Sequence, residues 1–373
     1  MVKTDKTDKL DRTDKIDSKI DRADKADKAD KTDKTKNSES AGNKGKTENA
    51  GKQEFRLRVI ISPAKKMNSD FDTLPAESLP VFSAETKQIL NYLKSLTYEE
   101  ANALWRCNDK LAELNFARVR ETALPADGAE GVSALPSLTP ALIAYEGIQY
   151  RYLSPKTLEE GALRWLSEHL RILSGFYGVL RPFDGIVPYR LEMQAQARVG
   201  GCRDLYAFWG NRLCQALRTD CAEHTENTRE AVPEILQAKC ALEASEEIKD
   251  ASEPIKDASE PPLFILNLAS KEYAKAVEPY LKPGDRWLSC VFAEQKDGRL
   301  IQKATLAKMA RGEMTRYLAE ELSEKPDGPV QVIELLSVLK CFDRLGFFWS
   351  EALSTERELV FICGSKTGDC VKN

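Results

Sequence analysis

Residues 171–193 read RILSGFYGVLRPFDGIVPYRLEM, and this stretch decides how the rest of the chain is interpreted. Apolar residues recur at three- and four-residue intervals before and within it, which predicts the end of an amphipathic helix: Leu163, Leu166, Leu170, Leu173 and Phe176. Gly175 and Gly178 then end that helix, because glycine disfavours helical backbone. Pro182 and Pro188 restrict the backbone of the segment that follows, and Gly185 leaves it conformational freedom at one position. We therefore expect an irregular, pre-set backbone after the helix.

Three arginines, Arg171, Arg181 and Arg190, are spread through this stretch, and we expect their guanidinium groups to be free to bind an anion. From residue 164 to residue 218 the chain has eight arginines, four acidic residues and no lysine. The planar guanidinium binds phosphate or carboxylate through two hydrogen bonds and stacks on bases, whereas lysine offers a mobile point charge. The alternative is that several of these arginines pair with the four acidic residues and only stabilise the fold.

Two stretches of the 373-residue chain have a composition that is typical of disorder. Residues 1–54 repeat Asp-Lys-Thr or Asp-Lys-Ala with almost no apolar residue, and residues 219–262 carry 12 acidic against 4 basic residues. We interpret the first as a disordered tail and the second as an exposed insert in a folded domain that spans residues 55–365. Residues 366–373 are expected to be a disordered C-terminal end. The acidic insert therefore accounts for the negative net charge of -4, and the folded body is weakly basic.

Composition also argues against several classes of protein. No apolar run approaches the roughly 18 residues of a membrane-spanning helix, and the chain begins without a hydrophobic signal region, so we predict a cytoplasmic protein with no membrane partner. The nine cysteines form no C-x-x-C pair and there are only two histidines, which argues against a zinc site, an iron–sulfur cluster or a disulfide framework. We therefore predict neither a bound metal nor a cofactor.

Polar side chains that can bind an anion follow two predicted strands. The strand at 57–61 runs into Ser62-Pro63-Ala64-Lys65-Lys66, which puts the amine of Lys65 at the edge of a sheet, where ligands bind. The strand at 263–268 leads into Ser270, so Asn267 and the N–H groups of the next helix form a candidate anion site. Simple helix capping explains Ser270 equally well, and a solvated loop charge explains Lys65.

Aromatic residues are candidates for contacts to bases. A predicted strand at 141–145 leads through Gly147 to a segment that contains Tyr150 and Arg151. Tyrosine rings beside a guanidinium group can stack on bases, so Tyr150 and, in the central stretch, Tyr189 are candidate base contacts. The alternative is ordinary packing, because tyrosines at strand ends more often pack with the hydroxyl group outward.

The predicted helix at 306–322 has a basic side. Lys308, Arg311 and Gly312 lie opposite its apolar residues when 100° is counted per residue. A glycine in mid-helix costs about 1 kcal/mol, which indicates that another backbone or a ligand packs closely there. Lys308 and Arg311 are therefore candidate anion contacts.

Two short helices are predicted earlier in the chain. Thr97 and Glu100 form a capping box for the first, and Asn108 caps the second, at 109–120. Helices joined this tightly resemble a helix-hairpin-helix, in which backbone N–H groups of a glycine-rich hairpin contact DNA phosphates. The hairpin position reads KLAELN at 110–115, which makes Lys110 a candidate contact. Glu113 stands where glycine is expected, and it blocks close approach and repels phosphate.

Several segments resemble the bacterial YaaA family of peroxide stress proteins. They are IISPAKKM (60–67), DKLAELN (109–115), YEGIQYRYL (145–153), LRILSGFYGVLRPFDGIVPYRLEM (170–193), DLYAFWGN (204–211), NLASKEY (267–273) and ATLAKMARGEMTRYLAEE (304–321). The resemblance spans residues 57–362 and leaves out the tail and the insert. RILSGFYGVLRP together with PYRLEM is its specific part.

The resemblance implies a mixed α/β (α+β) fold: a single domain of unusual topology, with a central mixed sheet, surrounding helices and a basic cleft. It also implies DNA binding through a helix-hairpin-helix-like element. A third implication is a role in limiting oxidative damage by lowering intracellular iron during peroxide stress. DNA is therefore the expected partner of a protein that we predict to be a monomer.

The sequence leaves three functions open. In the first, a cleft neutralises DNA phosphates and its tyrosines stack on bases; its cationic side chains are Lys65, Arg171, Arg181, Arg190, Lys308 and Arg311. In the second, an enzyme acts on a nucleobase or another anionic small molecule, with Lys65 or Lys308 as the amine and Glu192 as general acid or base. In the third, buried ion pairs only hold a scaffold together.

Overall fold

A computed structural model describes residues 55–70, 72–125, 135–219, 261–296, 299–323 and 332–364. The predicted tail, nearly all of the acidic insert and the C-terminal end lie outside these ranges. The described strands are β1 Arg56–Ile61, β2 Lys66–Met67, β3 Thr139–Pro140, β4 Tyr145–Glu146, β5 Leu170–Ser174, β6 Gly178–Leu180, β7 Gly185–Ile186, β8 Leu263–Leu268, β9 Arg286–Lys296, β10 Arg299–Ile301, β11 Phe347–Ser350 and β12 Glu358–Cys363.

Helices surround these strands. The described α-helices are α1 Ser83–Ser95, α2 Tyr98–Trp105, α3 Asp109–Glu121, α4 Ala141–Ala144, α5 Ile148–Leu153, α6 Glu160–His169, α7 Leu205–Trp209, α8 Arg212–Arg218, α9 Lys271–Ala274, α10 Ala304–Leu322 and α11 Val332–Lys340. Together with the main sheet they make a single mixed α/β domain, which confirms the predicted fold class.

Strand β1 is an interior strand of an eight-stranded mixed sheet. The strand order is β11-β12-β9-β8-β1-β5-β6, and β10 pairs with β9. β1 pairs in parallel with β5 on one side and with β8 on the other. Val59, Ile60 and Ile61 are fully buried, as expected of a parallel strand that is covered on both faces. After β1 the chain adds β5 and β6 on one side of it, and then β8 and β9 on the other side, so the strand order reverses between β1 and β8. Ligands bind beside the carboxyl ends of strands at such a point.

Several local predictions are confirmed. β1 and β8 cover the two predicted strands, and α3 and α10 cover the predicted helices within two residues at each end. The capping box at the start of α2 is present: the Thr97 side chain accepts from the Glu100 N–H, and the Thr97 N–H donates to Glu100 Oε2 at 2.8 Å. These elements were predictable because each is specified by its own residues.

The prediction of a helix that continues to Phe176 is wrong. α6 ends at His169, and the next five residues form strand β5, all of them buried. An apolar run fits a buried strand as well as a helix, and the pairing partner decides between them. Leu170 pairs with Val59 and Ile172 pairs with Ile61, so β5 satisfies one edge of β1.

The segment at 141–145 is also different from its prediction. Residues 141–144 form the short helix α4, and only Tyr145 and Glu146 are extended, where they pair with β2. All four residues of α4 are buried. The following segment, which contains Tyr150, is the helix α5 rather than a strand end.

The hairpin-like element is not where the sequence placed it. Residues 110–115 lie inside α3, and the connection between α2 and α3 is the turn 106–108. That turn contains no glycine; Arg106 takes the left-handed conformation with φ of 46°. Asn108 accepts a hydrogen bond from the Leu111 N–H at 3.0 Å, so this helix start is capped by the chain itself. Lys110 is an exposed side chain on α3.

Helix α10 crosses α5 at Gly312, where the sequence predicts that another backbone or a ligand packs closely. A Cβ atom added to Gly312 would overlap the carbonyl oxygen of Gln149 and would lie 3.1 Å from the Leu153 nitrogen. The close neighbour is therefore the backbone of α5. Only glycine permits this separation of the two helices.

We expect Gly312→Ala to lower the free energy of unfolding by about 2 kcal/mol or more, because the helices must move apart. Gly161→Ala is the matched control in α6: its added Cβ would meet its nearest atom at 3.5 Å, an ordinary contact. The control should be neutral or stabilising by up to about 1 kcal/mol. Urea denaturation measures both, and equal stabilities for the two variants would contradict the crossing.

A buried ion pair joins the end of α8 to the connection between β8 and β9. The Arg218 guanidinium donates to both carboxylate oxygens of Asp285, with Nη1 to Oδ1 at 3.0 Å. The Leu263 N–H donates to the same Oδ1 at 3.0 Å. Burial alone would raise the pKa of Asp285, but the hydrogen bonds from Arg218 and Leu263 outweigh it and hold that pKa below its ordinary value of 3.8.

We expect Asp285 to stabilise the domain near neutral pH and to lose this effect in acid. A carboxyl group whose pKa is lowered by folding contributes fully above its unfolded-state pKa, and the contribution disappears as pH falls through the folded-state pKa. Asp285→Asn should therefore lower the free energy of unfolding by about 3 kcal/mol at pH 7, and this loss should shrink as the pH is lowered below 3.8. Urea denaturation at pH 7 and at a series of lower pH values tests this, and a loss that does not change with pH would contradict it.

Candidate anion-binding site

Arg171 is a structural residue. It is 3% exposed, and its Nη1 donates to the carbonyl oxygens of Ser167 at 3.0 Å and Leu170 at 2.7 Å. These carbonyls lie at the end of α6, where backbone acceptors have no partner within the helix. The expectation that its guanidinium group is free to bind an anion is therefore wrong.

Arg181 is held by a buried carboxylate. Its Nε donates to Oδ1 of Asp184 at 3.1 Å, and its backbone N–H donates to Oδ2 at 2.8 Å. Burial raises the pKa of Asp184, and the charge of Arg181 opposes that rise. Because β6 runs antiparallel to β5, with Leu180 opposite Ile172, Arg181 lies toward the amino end of β5. Arg171 and Arg181 thus do not join the polar groups at the carboxyl ends of the parallel strands.

Lys65, Arg190 and Glu192 are brought together beyond the carboxyl end of β1. Lys65 Nζ lies 2.8 Å from Glu192 Oε1, and Arg190 Nη2 lies 3.6 Å from the same oxygen. A second carboxylate, Glu272 of α9, accepts from the Gln194 N–H at 3.2 Å. Burial raises the pKa of Glu272, and the nearby charge of Glu192 adds to the rise. The positive charges of Lys65 and Arg190 are thus balanced by the two carboxylates, Glu192 and Glu272.

The two candidate tyrosines are core residues. Tyr150 is 4% exposed and Tyr189 is 8% exposed. The Tyr189 hydroxyl lies 2.7 Å from Ser174 Oγ and 2.8 Å from the Tyr145 hydroxyl, and the Tyr150 hydroxyl donates to the Ser62 carbonyl at 3.0 Å. Burial raises the pKa of Tyr189 to about 12. Neither ring is exposed to a stacking base in this arrangement, so both tyrosines pack in the core.

A cavity of about 690 Å³ opens beside the carboxyl end of β8, and we call it the β9 cavity. Its lining residues are Asn267, Ala269, Lys271, Ala274, Lys275, Glu278, Pro279, Trp287, Ser289, Cys290, Val291, Gln302, Arg311, Thr355, Arg357 and Glu358. It lies next to the Lys65 group along the sheet, since Lys271 and Glu272 are neighbours on α9.

The cavity exists because one edge of β9 is only partly covered. β12 pairs with residues 289–294 of β9 on one side. On the other side, β8 pairs with β9 up to Ser289, and β10 pairs with β9 only from Glu294 onward. In the described part of the chain, residues 290–293 therefore have no strand partner on that side. Cys290 and Val291 line the opening.

The β9 cavity is rich in positive charge. Lys271 at the start of α9 and Lys275 directly after α9 are exposed side chains, and Arg311 of α10 also lines the cavity. Arg357 is neutralised by Glu278, with Nη2 to Oε1 at 2.9 Å. Glu358 is the remaining acidic residue of the lining. Arg311 is a candidate from the sequence, whereas Lys271 and Lys275 are not among the predicted contacts. Their four-residue spacing directly after a buried strand is the signal that indicates them.

Arg311 is the least satisfied of these cations. Its Nε is buried without a hydrogen-bond partner, and its guanidinium group makes no ion pair with any residue that the structure describes. Burial lowers the pKa of Arg311. Lys308, the other candidate on α10, is exposed one turn earlier.

Asn267 is already bonded within the protein. Its Nδ2 donates to Ser289 Oγ at 3.1 Å, and its Oδ1 accepts from the Ala269 N–H at 2.9 Å. It lines the cavity and shapes the turn after β8, and it is 8% exposed. Ser270 begins α9, as predicted, but its side chain makes no capping hydrogen bond to that helix.

The described ranges contain neither a metal-binding cluster nor a membrane-spanning helix. No group of three or more histidine, cysteine, aspartate or glutamate side chains there is arranged to hold a metal ion. Within the same residues, no helix combines the length and the apolar character needed to cross a bilayer.

Comparison with known proteins identifies the family. The model of the family described as peroxide stress protein YaaA matches residues 57–235 and 244–335, so it includes most of the acidic insert that the resemblance left out. A UPF0246 protein of Lachnoclostridium phytofermentans is 42% identical over 308 residues, which cover 83% of this chain and 97% of the relative. UPF0246 proteins of Pediococcus pentosaceus and Lactiplantibacillus plantarum are 40% and 41% identical over 306 residues, 82% of this chain and 98% and 99% of the relatives. The predicted family is confirmed: this chain belongs to the YaaA family of peroxide stress proteins.

Proposed function

We propose that this protein acts in the peroxide stress response by binding DNA, and that this binding limits iron-dependent oxidative damage. The observation that carries the proposal is a set of exposed lysines: Lys271 at the start of α9 and Lys275 just after it, which line the β9 cavity, and Lys308 on α10, one turn before Arg311. They form no ion pair with any described residue, although Lys275 Nζ lies over the Tyr206 ring at 4.8 Å from its centroid. Surface cations without a carboxylate partner are available to phosphate.

The link to iron follows from the chemistry of the DNA backbone. Duplex DNA holds a condensed layer of cations, and a protein that neutralises phosphates releases them. Ferrous ions held at the backbone react with peroxide where they are bound, so a protein that displaces them moves that reaction away from the bases. Such protection requires no iron ligand in the protein.

Lysine contacts to phosphate predict a particular kind of binding. A flexible ammonium group neutralises phosphate without reading the bases, so affinity is expected to depend little on sequence. Log affinity falls as log salt concentration rises, and each lysine that neutralises a phosphate makes this slope more negative by about 0.9. Three lysines therefore account for a slope of about -2.7.

The test is fluorescence anisotropy with a duplex at several salt concentrations. We expect Lys271→Gln/Lys275→Gln/Lys308→Gln to weaken binding at low salt and to reduce the slope by about 2.7. Lys87→Gln, an exposed lysine of α1, is the matched control and should bind like wild type. A third variant, Lys110→Gln, tests whether the α2–α3 pair contacts DNA.

Two results would contradict the proposal. Absence of wild-type binding at low salt rejects DNA as the partner. A wild-type slope in the triple variant, with a reduced slope in Lys110→Gln, moves the contact to α3.

One observation favours the second function, an enzyme acting on a nucleobase or anionic small molecule. Glu192 Oε1 lies within hydrogen-bond reach of Lys65 Nζ, at 2.8 Å, and a carboxylate at that distance can accept the proton that an amine nucleophile loses. Borohydride trapping with a carbonyl substrate should then give an adduct in wild type and none in Lys65→Ala. An adduct that persists in Lys65→Ala rules out this lysine, and Lys308→Ala is the matched variant for the other candidate.

A further inference from the structure

Arg311 differs from several other arginines around the sheet. Arg171, Arg181 and Arg218 each donate to a carbonyl or carboxylate of the protein itself. Arg311 Nε is buried, yet no described residue accepts a hydrogen bond from it. Arg190 Nε is likewise buried without a hydrogen-bond partner, but Arg190 Nη2 lies 3.6 Å from Glu192 Oε1. Arg311 as a whole is half-buried, and a guanidinium nitrogen that is removed from water without a partner is unfavourable for folding. A binding partner from outside the chain would remove this cost.

The surroundings of Arg311 leave its charge uncompensated. Cys290 is the titratable side chain that acts on the pKa of Arg311, and burial raises the pKa of its thiol to about 12, so it is neutral at physiological pH. Glu278 is occupied by Arg357. With Lys271 and Lys275 also in the lining, the β9 cavity has a net positive charge even when Glu358 is counted.

The position of Arg311 is fixed by its neighbour. Gly312 lies against the Gln149 backbone, so α10 is held on α5 directly beside the arginine. The Arg311 carbonyl accepts from Thr315 Oγ1 at 2.8 Å within the same helix. A guanidinium group on a backbone that is held this closely is pre-organised for a ligand, which reduces the entropy lost on binding.

We propose that the β9 cavity is a binding site for a phosphomonoester, with Arg311 as its anchor. The planar guanidinium binds two phosphate oxygens, and the lysines at the mouth neutralise the rest of the charge. A phosphomonoester carries about -1.5 to -2 at pH 7, which suits three cations better than a single carboxylate does. The volume of about 690 Å³ lies in the range of small-molecule pockets, about 300–1,000 Å³.

Two sources supply this chemistry: a free nucleoside monophosphate, or the terminal 5′-phosphate of a DNA strand. Internal phosphates of a duplex are diesters on a convex surface, and they do not reach a partly buried guanidinium group. Only the strand-end source rests on the proposed DNA binding.

The experiment is calorimetric titration with adenosine 5′-monophosphate, adenosine and inorganic phosphate, and with a single-stranded oligonucleotide that carries either a 5′-phosphate or a 5′-hydroxyl. We expect the phosphorylated member of each pair to bind about tenfold tighter or more than its unphosphorylated partner. Arg311→Gln should remove that preference. Arg151→Gln, an exposed arginine of α5, is the matched control and should keep it.

A second variant separates ligand binding from a structural role. Arg311→Met without ligand should unfold at the same temperature as wild type or higher, because it removes a buried charge that has no partner. A large fall in that temperature would overturn the proposal, since it would make Arg311 a structural residue.

The remaining outcomes are also decisive. Equal binding of phosphorylated and unphosphorylated ligands, or a preference that survives in Arg311→Gln, overturns the proposal. A preference for adenosine 5′-monophosphate over adenosine supports it even where no duplex binding is found, so its failure can be told apart from failure of the DNA-binding proposal. A preference seen only with the oligonucleotide identifies the strand end as the source.

Discussion

The parallel pairing of β1 with β5 on one side and β8 on the other is the constraint on which the rest of the structure depends. β1 is short and apolar, and its last three residues are completely buried. Both of its edges need a strand partner, because an unpaired buried backbone group is costly. This requirement turns residues 170–174 into a strand and places the chain reversal between β1 and β8. The polar groups that follow β1 and β8 therefore come together at one edge of the sheet.

Two different polar groups result from this arrangement. Beyond β1, Lys65 and Arg190 share the carboxylate of Glu192, so positive charge is balanced there. Beyond β8, α9 and α10 put three cations around a gap in the pairing of β9, and Arg311 has no carboxylate against it among the described residues. Since charge without an internal partner is available to a ligand, the β9 cavity is the stronger candidate for binding an anion.

The sequence predicted those parts of the structure that are specified locally. The capping box at Thr97, the buried strands β1 and β8, and the helix that carries Gly312 each depend on a few neighbouring residues. The prediction failed where distant residues decide. The sequence predicts a helix where β5 lies because its apolar spacing fits both periods, and the strand with which it pairs lies more than a hundred residues away.

The site was predicted only in part for the same reason. Arginines are visible in a sequence, but their partners are not: Arg171 is bonded to the carbonyls that end α6, and Arg181 to a carboxylate that is fully buried. Arg311 was found because an adjacent glycine marked a close helix crossing.

The most direct test of the central claim is a crystal structure of the protein soaked with tungstate, a tetrahedral dianion that scatters anomalously and mimics phosphate. We expect an anomalous peak in the β9 cavity, with oxygen atoms roughly 2.7–3.2 Å from the Arg311 guanidinium nitrogens. A guanidinium group paired with a carboxylate of the protein, and no peak in the cavity, would contradict it.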